Sequence, residues 1–158
     1  MNIKPLVNDL TKAGLDIMKI NYVFSGPKSN AILQEQTAAV EYLRNIWEDI
    51  DLYESMYLVL LTRQYRVKGY LRIGVGNAHG VVANISMIYA ACLLTNTSNY
   101  FVAHNHPSGD IKPSEADIRL TKKLSNLNSE FGEIKCIDHL IIAKNDYYSF
   151  MNEGYIKI

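Results

Sequence analysis

Two histidines two positions apart, His104 and His106, open a stretch that closes on a carboxylate: His104-Asn105-His106-Pro107-Ser108-Gly109-Asp110-Ile111-Lys112-Pro113-Ser114-Glu115-Ala116-Asp117. Tyr100 to Ala103, just before it, reads as a short buried strand. Side chains alternate along a strand, so His104 and His106 point one way and Asn105 the other. From Ser114 onward the chain reads as an amphipathic helix. Leu120, Leu124, Leu127 and Phe131 recur at steps of four, three and four and form one apolar stripe. Asp117 lies three residues before Leu120 and continues that stripe inward. A carboxylate turned toward a core must be paired or bound to a cation. Two neutral imidazole nitrogens and one carboxylate oxygen make three ligands, the number a catalytic zinc site uses while keeping its fourth position open. Pro107, Gly109 and Pro113 make the connection a rigid turn that is neither helix nor central strand.

Each part has a plainer reading. Ser114-Glu115-Ala116-Asp117 fits the capping box S-x-x-[DE], in which Ser114 and Asp117 only close a helix end. A lone His-x-His at a strand end often carries no chemistry. The contiguous letters HNH at His104-Asn105-His106 are no evidence for the nuclease of that name, whose letters come from separated positions.

The joint pattern H-x-H-P-x(6)-S-x(2)-D is more specific than its parts. It resembles the motif of the JAMM (JAB/MPN) metalloprotease family. The string HNHPSG, followed by PS, then D, then DHLII and a YYSF run, resembles the RadC branch of that family, with the likeness running from about Glu54 to Gly154. The resemblance implies the JAB/MPN fold, related to that of cytidine deaminases, and hydrolysis of an amide or isopeptide bond in a peptide or protein substrate. It implies Zn2+ as cofactor, held by His104, His106 and Asp117. It implies Ser114 as a donor to the tetrahedral oxyanion. The family also uses a glutamate just upstream of a core strand as proton shuttle. Glu54, two residues before the apolar run Met56 to Leu61, takes that place. Glu48 and Glu41 are the alternatives, both read as lying in a helix where solvent-facing carboxylates are ordinary.

Around this stretch the remaining elements follow from periodicity. The first 24 residues are weakly amphipathic. Helical spacing joins Ile32, Ala39, Leu43, Ile46, Trp47 and Ile50 and predicts a helix from about Ala31 to Ile50, capped by Ser29 or Asn30, with Trp47 in the core. Met56 to Leu61 reads as a strand buried on both faces. Arg63 to Arg66 is a turn, and Val67 to Ile73 returns as an antiparallel strand. Gly74 to Gly80 does not match G-x-G-x-x-G and reads as a flexible loop carrying an exposed His79. Asn84 caps a helix to about Thr95, with Ile88, Ala91 and Leu94 toward the core. After the helix from Ser114 to about Glu130, Ile134 to Ala143 and Tyr147 to Phe150 are strands joined by a turn at Lys144-Asn145-Asp146. On the first of these, Asp138-His139 is either a satisfied core pair, the favoured reading, or a layer behind the site. The order implies an α+β domain of three-layer α/β/α type around a mixed sheet. An N-terminal extension over 1–30 and a single RadC-like JAB/MPN domain over 31–158 are expected.

Composition narrows the function classes. The chain has 158 residues, 48% hydrophobic, with a formal net charge of zero. No basic excess advertises a nucleic-acid surface, which argues against direct DNA binding. Cys92 and Cys136 sit in apolar runs and read as reduced core thiols, which with the lack of a signal-peptide pattern suggests a cytoplasmic protein. No run of 18 apolar residues exists, so no membrane span is expected. The alternative to a zinc metallopeptidase is a non-catalytic, zinc-containing accessory domain that binds partners in DNA repair or mobile-element maintenance. A complete ligand set with an open fourth position favours the enzyme.

Overall fold

A computed structural model describes residues 29–76 and 83–157. The expectations for the first 24 residues and for His79 lie outside the described residues. Among the described residues eight elements follow one another: α1 (Gln36–Ile46), β1 (Ser55–Leu61), β2 (Val67–Val75), α2 (Ile85–Leu94), β3 (Asn99–Asn105), α3 (Glu115–Phe131), β4 (Lys135–Ile142) and β5 (Tyr147–Ser149). The strands form one sheet in the order β2-β1-β3-β4-β5. Only β3 and β4 run parallel; the other neighbours are antiparallel. The result is the mixed-sheet α+β domain expected from the sequence.

The sheet separates two cores. Met56, Leu58, Leu60, Tyr100 and Val102 pack on one face with Ile88, Cys92 and Leu124 from α2 and α3. Tyr57, Val59, Leu61, Phe101 and Ala103 pack on the other with Val40, Leu43 and Trp47, mostly from α1. All seven residues of β1 are buried, as a strand covered on both faces requires. The two cysteines are free and buried, and burial pushes the Cys92 thiol up to about 12. Among the described residues no helix is long and apolar enough to cross a membrane.

Three helix boundaries and faces differ from the sequence reading. First, α1 begins at Gln36 rather than near Ala31, because the preceding segment joins the β1–β2 turn. Leu33 donates its N–H to the Tyr65 carbonyl at 2.9 Å and the Ala31 carbonyl accepts from Val67 at 2.9 Å. Ser29 therefore does not cap α1; its hydroxyl accepts from Ala31 N–H at 3.2 Å, and Glu35 holds the cap position without a side-chain bond. Second, α1 ends before Trp47, whose indole is buried and donates to Ser55 Oγ at 3.1 Å. Glu48 consequently lies in the turn beyond the helix. Third, α2 buries Ile88, Tyr89 and Cys92 while Leu94 is 43% exposed. That helix is apolar all round, so spacing alone does not select its inner face. Its cap is as expected, with Asn84 Oδ1 accepting from Met87 N–H at 3.2 Å.

The helix α3 connects the parallel strands β3 and β4. A crossover of this kind sets the helix N-terminus beside the carboxyl end of the strand that feeds it, where ligand sites of such units form. That is where the histidine stretch lies.

Candidate metal centre

His104 is the last inward-facing residue of β3, paired in register with Met56 of β1 and Ile141 of β4. His106 follows just past the strand end, its N–H donating to the Ile142 carbonyl at 3.0 Å. Gly109, at φ +85°, turns the chain back, and its N–H donates to the His106 carbonyl at 3.0 Å. A left-handed backbone of this kind is open to glycine and costly for most other residues. The turn brings the Asp110 carbonyl to 2.5 Å from His106 Nδ1. A carbonyl can only accept, so His106 carries a proton on Nδ1, which turns Nε2 toward His104.

Ser114 caps α3 in a full capping box. Its hydroxyl accepts from Asp117 N–H at 3.2 Å, and Asp117 Oδ2 accepts from Ser114 N–H at 2.8 Å. The same Oδ2 lies 2.6 Å from Ser114 Oγ. The other carboxylate oxygen, Oδ1, lies 3.3 Å from His104 Nε2. The capping reading and the ligand reading of Asp117 are thus compatible, one oxygen serving each. On the buried side of α3 the stripe is partly polar: Thr121, Leu124 and Asn128 are buried, while Leu120 and Leu127 pack against the core at its edge. The Phe131 side chain lies outside what is described.

His104 Nε2 and His106 Nε2 are 3.1 Å apart. With His104–Asp117 at 3.3 Å, both separations match the edge of a tetrahedron of ligands about 2.0–2.1 Å from a zinc ion, roughly 3.3 Å. Burial lowers the His104 pKa to about 4, so its ring is neutral. His104 Nε2 thus faces a second imidazole nitrogen and a carboxylate oxygen, an arrangement that a cation between them would stabilise. The donor set therefore fits a metal ion.

His104, Asp117 and His139 also bring one potential ligand atom each within 4.8 Å of one another. His139 is the poorer third ligand, because both its ring nitrogens are already engaged, Nε2 with His104 Nδ1 at 3.0 Å and Nδ1 with Thr121 Oγ1 at 2.7 Å. It is also fully buried, whereas His106 and Asp117 are half-buried and leave an approach from solvent. These side chains make a His/Asp cluster that could hold a metal ion.

His139 nevertheless belongs to the site, and the favoured reading of Asp138-His139 as a core pair needs correction. The two neighbours part company. Asp138 lies away from the histidines, accepting from Ser149 Oγ at 2.7 Å, His139 N–H at 2.7 Å and Met151 N–H at 3.0 Å. Burial pushes its carboxyl up to about 6 against the pull of these three donors. His139 lies behind His104, stacked on Phe150 at 4.6 Å and 11°, and burial holds its pKa well below the usual histidine value. The sequence signal was the DH pair before an apolar run, but not the face each residue takes.

Glu54 is half-buried, immediately before β1. Met56 pairs with His104 in antiparallel register, so Glu54 lies just before β1 at the sheet end where His106 follows β3. Its backbone is fixed from both sides. Asn105 accepts from Ser55 N–H at 2.7 Å and donates to the Tyr53 carbonyl at 2.9 Å and the Ile50 carbonyl at 2.6 Å. Glu41 and Glu48 are exposed, on α1 and just past its end.

The fold and this cluster define a mixed-sheet domain with a possible His/Asp metal site where a strand meets its crossover helix. The chain belongs to the RadC-like JAB domain family, whose pattern matches residues 33–155. It is similar to a UPF0758 protein of Flavobacterium johnsoniae, 27% identical over 139 residues that cover 88% of this chain and 56% of that relative. A UPF0758 protein of Fusobacterium nucleatum is 33% identical over 131 residues, covering 82% of this chain and 55% of the relative. One from Streptococcus agalactiae is 32% identical over 144 residues, covering 90% and 62%. The aligned part thus spans a little over half the length of these relatives.

Proposed function

We propose that this domain is a zinc-dependent hydrolase of amide or isopeptide bonds, acting on a peptide or protein substrate. The observation that carries the proposal is His104 Nε2 lying 3.1 Å from His106 Nε2 and 3.3 Å from Asp117 Oδ1, with His106 and Asp117 only half-buried. A zinc ion there would lower the pKa of a coordinated water to about 7 and polarise the carbonyl under attack.

The chain's own residues supply the rest. His106 is pinned by the Asp110 carbonyl and His104 by the core around it, so both rings are set before any ligand arrives. Glu54, at the same sheet end, accepts the proton of the attacking water and delivers it to the leaving amine. The Ser114 hydroxyl turns from Asp117 Oδ2 toward the developing oxyanion. Asp117 keeps the Ser114 N–H on Oδ2 when it does so. The N-terminus of α3 adds its positive dipole end to the same region.

Metal content and cleavage test this in two stages. Protein purified without a histidine tag and dialysed against zinc should hold one equivalent, and His104→Ala combined with Asp117→Ala should abolish it. A library of peptides and isopeptides should then be cut by the zinc form and not by the chelated form. Full zinc retention in the double variant refutes the ligand set. A zinc-loaded protein that cuts no member of a broad library favours the partner-binding alternative.

A further inference from the structure

The assignment of protons behind the site leads from one ligand to another. Thr121 Oγ1 lies 2.7 Å from the Asp117 carbonyl oxygen and 2.7 Å from His139 Nδ1. The carbonyl can only accept, so the single hydroxyl proton of Thr121 goes to it. The hydroxyl oxygen must then accept from His139, which places the His139 proton on Nδ1. With its one proton on Nδ1, the fully buried His139 ring offers Nε2 as an acceptor. That atom faces His104 Nδ1 at 3.0 Å. His104 therefore donates from Nδ1, and its Nε2 is left unprotonated, aimed at His106 and Asp117.

The alternative tautomer would not be harmless. With the proton on Nε2, His104 would donate to His106 Nε2 across 3.1 Å, and the pair would be a hydrogen bond rather than two ligands. We infer that His139 is a positioning residue: through Thr121 and the Asp117 backbone carbonyl it holds His104 in the Nδ1–H form and so keeps Nε2 free for a metal. The ring stacks on Phe150 at 4.6 Å, and the Phe150 N–H donates to the His139 carbonyl at 3.0 Å, so the plane of the ring and its backbone are both tied to the end of β5. Metal-bound histidines commonly hand their second N–H to a carboxylate, a carbonyl or water. Here the acceptor is a neutral imidazole that adds no charge to the site.

The relay is independent of activity, and its effect on affinity rests on the zinc reading above. Thr121→Val keeps the shape of the side chain, touches no ligand side chain and removes the hydroxyl. It frees His139 Nδ1 from its acceptor, so His139 can carry its proton on Nε2 and force His104 into the wrong tautomer. Thr121→Ser restores the hydroxyl. Two-bond proton–nitrogen correlations on protein labelled with 15N at its four histidines report the tautomers directly. Metal-free parent should show Nδ1–H for both His104 and His139. Thr121→Val should move His104 toward Nε2–H and weaken zinc binding, in chelator competition, by about 10–100-fold. Thr121→Ser should return both readouts to the parent values. Nε2–H at His104 in the parent overturns the inference, as does unchanged zinc affinity in a folded Thr121→Val. A parent with the tautomers assigned here that takes up no zinc refutes the metal reading and leaves the relay standing. If Thr121→Val does not fold, the tautomers of the parent decide alone.

Discussion

Asn105, between the two histidines, offers the sharpest test of how the site is built. It is fully buried on the face opposite His104, and its carboxamide joins β3 to the segment that carries Glu54. Asn105→Ala removes three bonds of 2.6–2.9 Å: one accepted from Ser55 N–H, and two donated to the Ile50 and Tyr53 carbonyls. Ser55 is fully buried, so its stranded N–H bears a full desolvation cost, whereas Tyr53 is 40% exposed and its carbonyl is nearer to water. At about 1 kcal/mol net for each of the two donated bonds, plus about 1–3 kcal/mol for the stranded N–H, the expected loss is roughly 3–5 kcal/mol. That is a large part of the 5–15 kcal/mol typical of a whole domain. Urea unfolding followed by fluorescence measures it, as a fall in midpoint at constant slope. The histidines face the other way, so protein that remains folded should bind zinc as the parent does. A loss under about 1 kcal/mol, or a collapse of zinc affinity in folded protein, would refute the division of labour between the two faces of β3.

Glu54→Gln keeps size and shape but cannot take a proton, so zinc content and unfolding should match the parent while cleavage falls by about 10²–10⁴-fold. Glu48→Gln, beyond the end of α1, should change neither, and the reverse pattern would show that the wrong carboxylate has been chosen. Ser114→Ala should cost about 1 kcal/mol as a lost cap and retain zinc, while the rate drops by about 10²-fold or more; unchanged turnover would make Ser114 a cap and nothing else. Asp138→Asn tests the buried carboxyl by pH. Its folded pKa of about 6 lies above the ordinary 3.8, so between these values the folded state holds the proton more tightly than the unfolded one. Parent stability should therefore fall relative to the Asn variant as pH rises through that window, by up to about 3 kcal/mol. The Ser149 hydroxyl can reverse and accept from the new amide. A difference between the two proteins that is flat from pH 4 to pH 6, roughly the interval over which linkage must act, would contradict the raised pKa.

The faces taken by the residues of the candidate site were legible in the sequence because they depend on two simple periods. Alternation along a strand put His104 and His106 on one face and Asn105 on the other. Helical spacing put Asp117 above the inner stripe of α3, even though its centre proved to be Thr121 and Asn128 rather than leucines alone. The start of α1 was not legible, because Ala31 to Leu33 satisfy their backbone groups with residues Tyr65 to Val67, far along the chain. The inner face of α2 was not legible either, since a helix without a polar side has no face to read.

His139 shows why the layer behind the ligands stayed hidden. Simple alternation along β4 would put Cys136 and Asp138 on one face and His139 on the other, with Ile137. The register breaks instead: Tyr100 pairs with Cys136, but the next residue, Phe101, pairs with Asp138. The one extra residue in β4 is a bulge, and a bulge exchanges the faces of everything beyond it. Cys136 and His139, three apart, therefore share the face of α3, and Asp138 turns to the face of α1. Thr121 reaches His139 because it lies one helical turn past Asp117 on the same side of α3. Shifting β4 back into register would put the acidic side chain against His104 and the imidazole against α1. The bulge thus decides whether the group behind His104 is a neutral acceptor or a carboxylate, a choice that neither residue type nor spacing records.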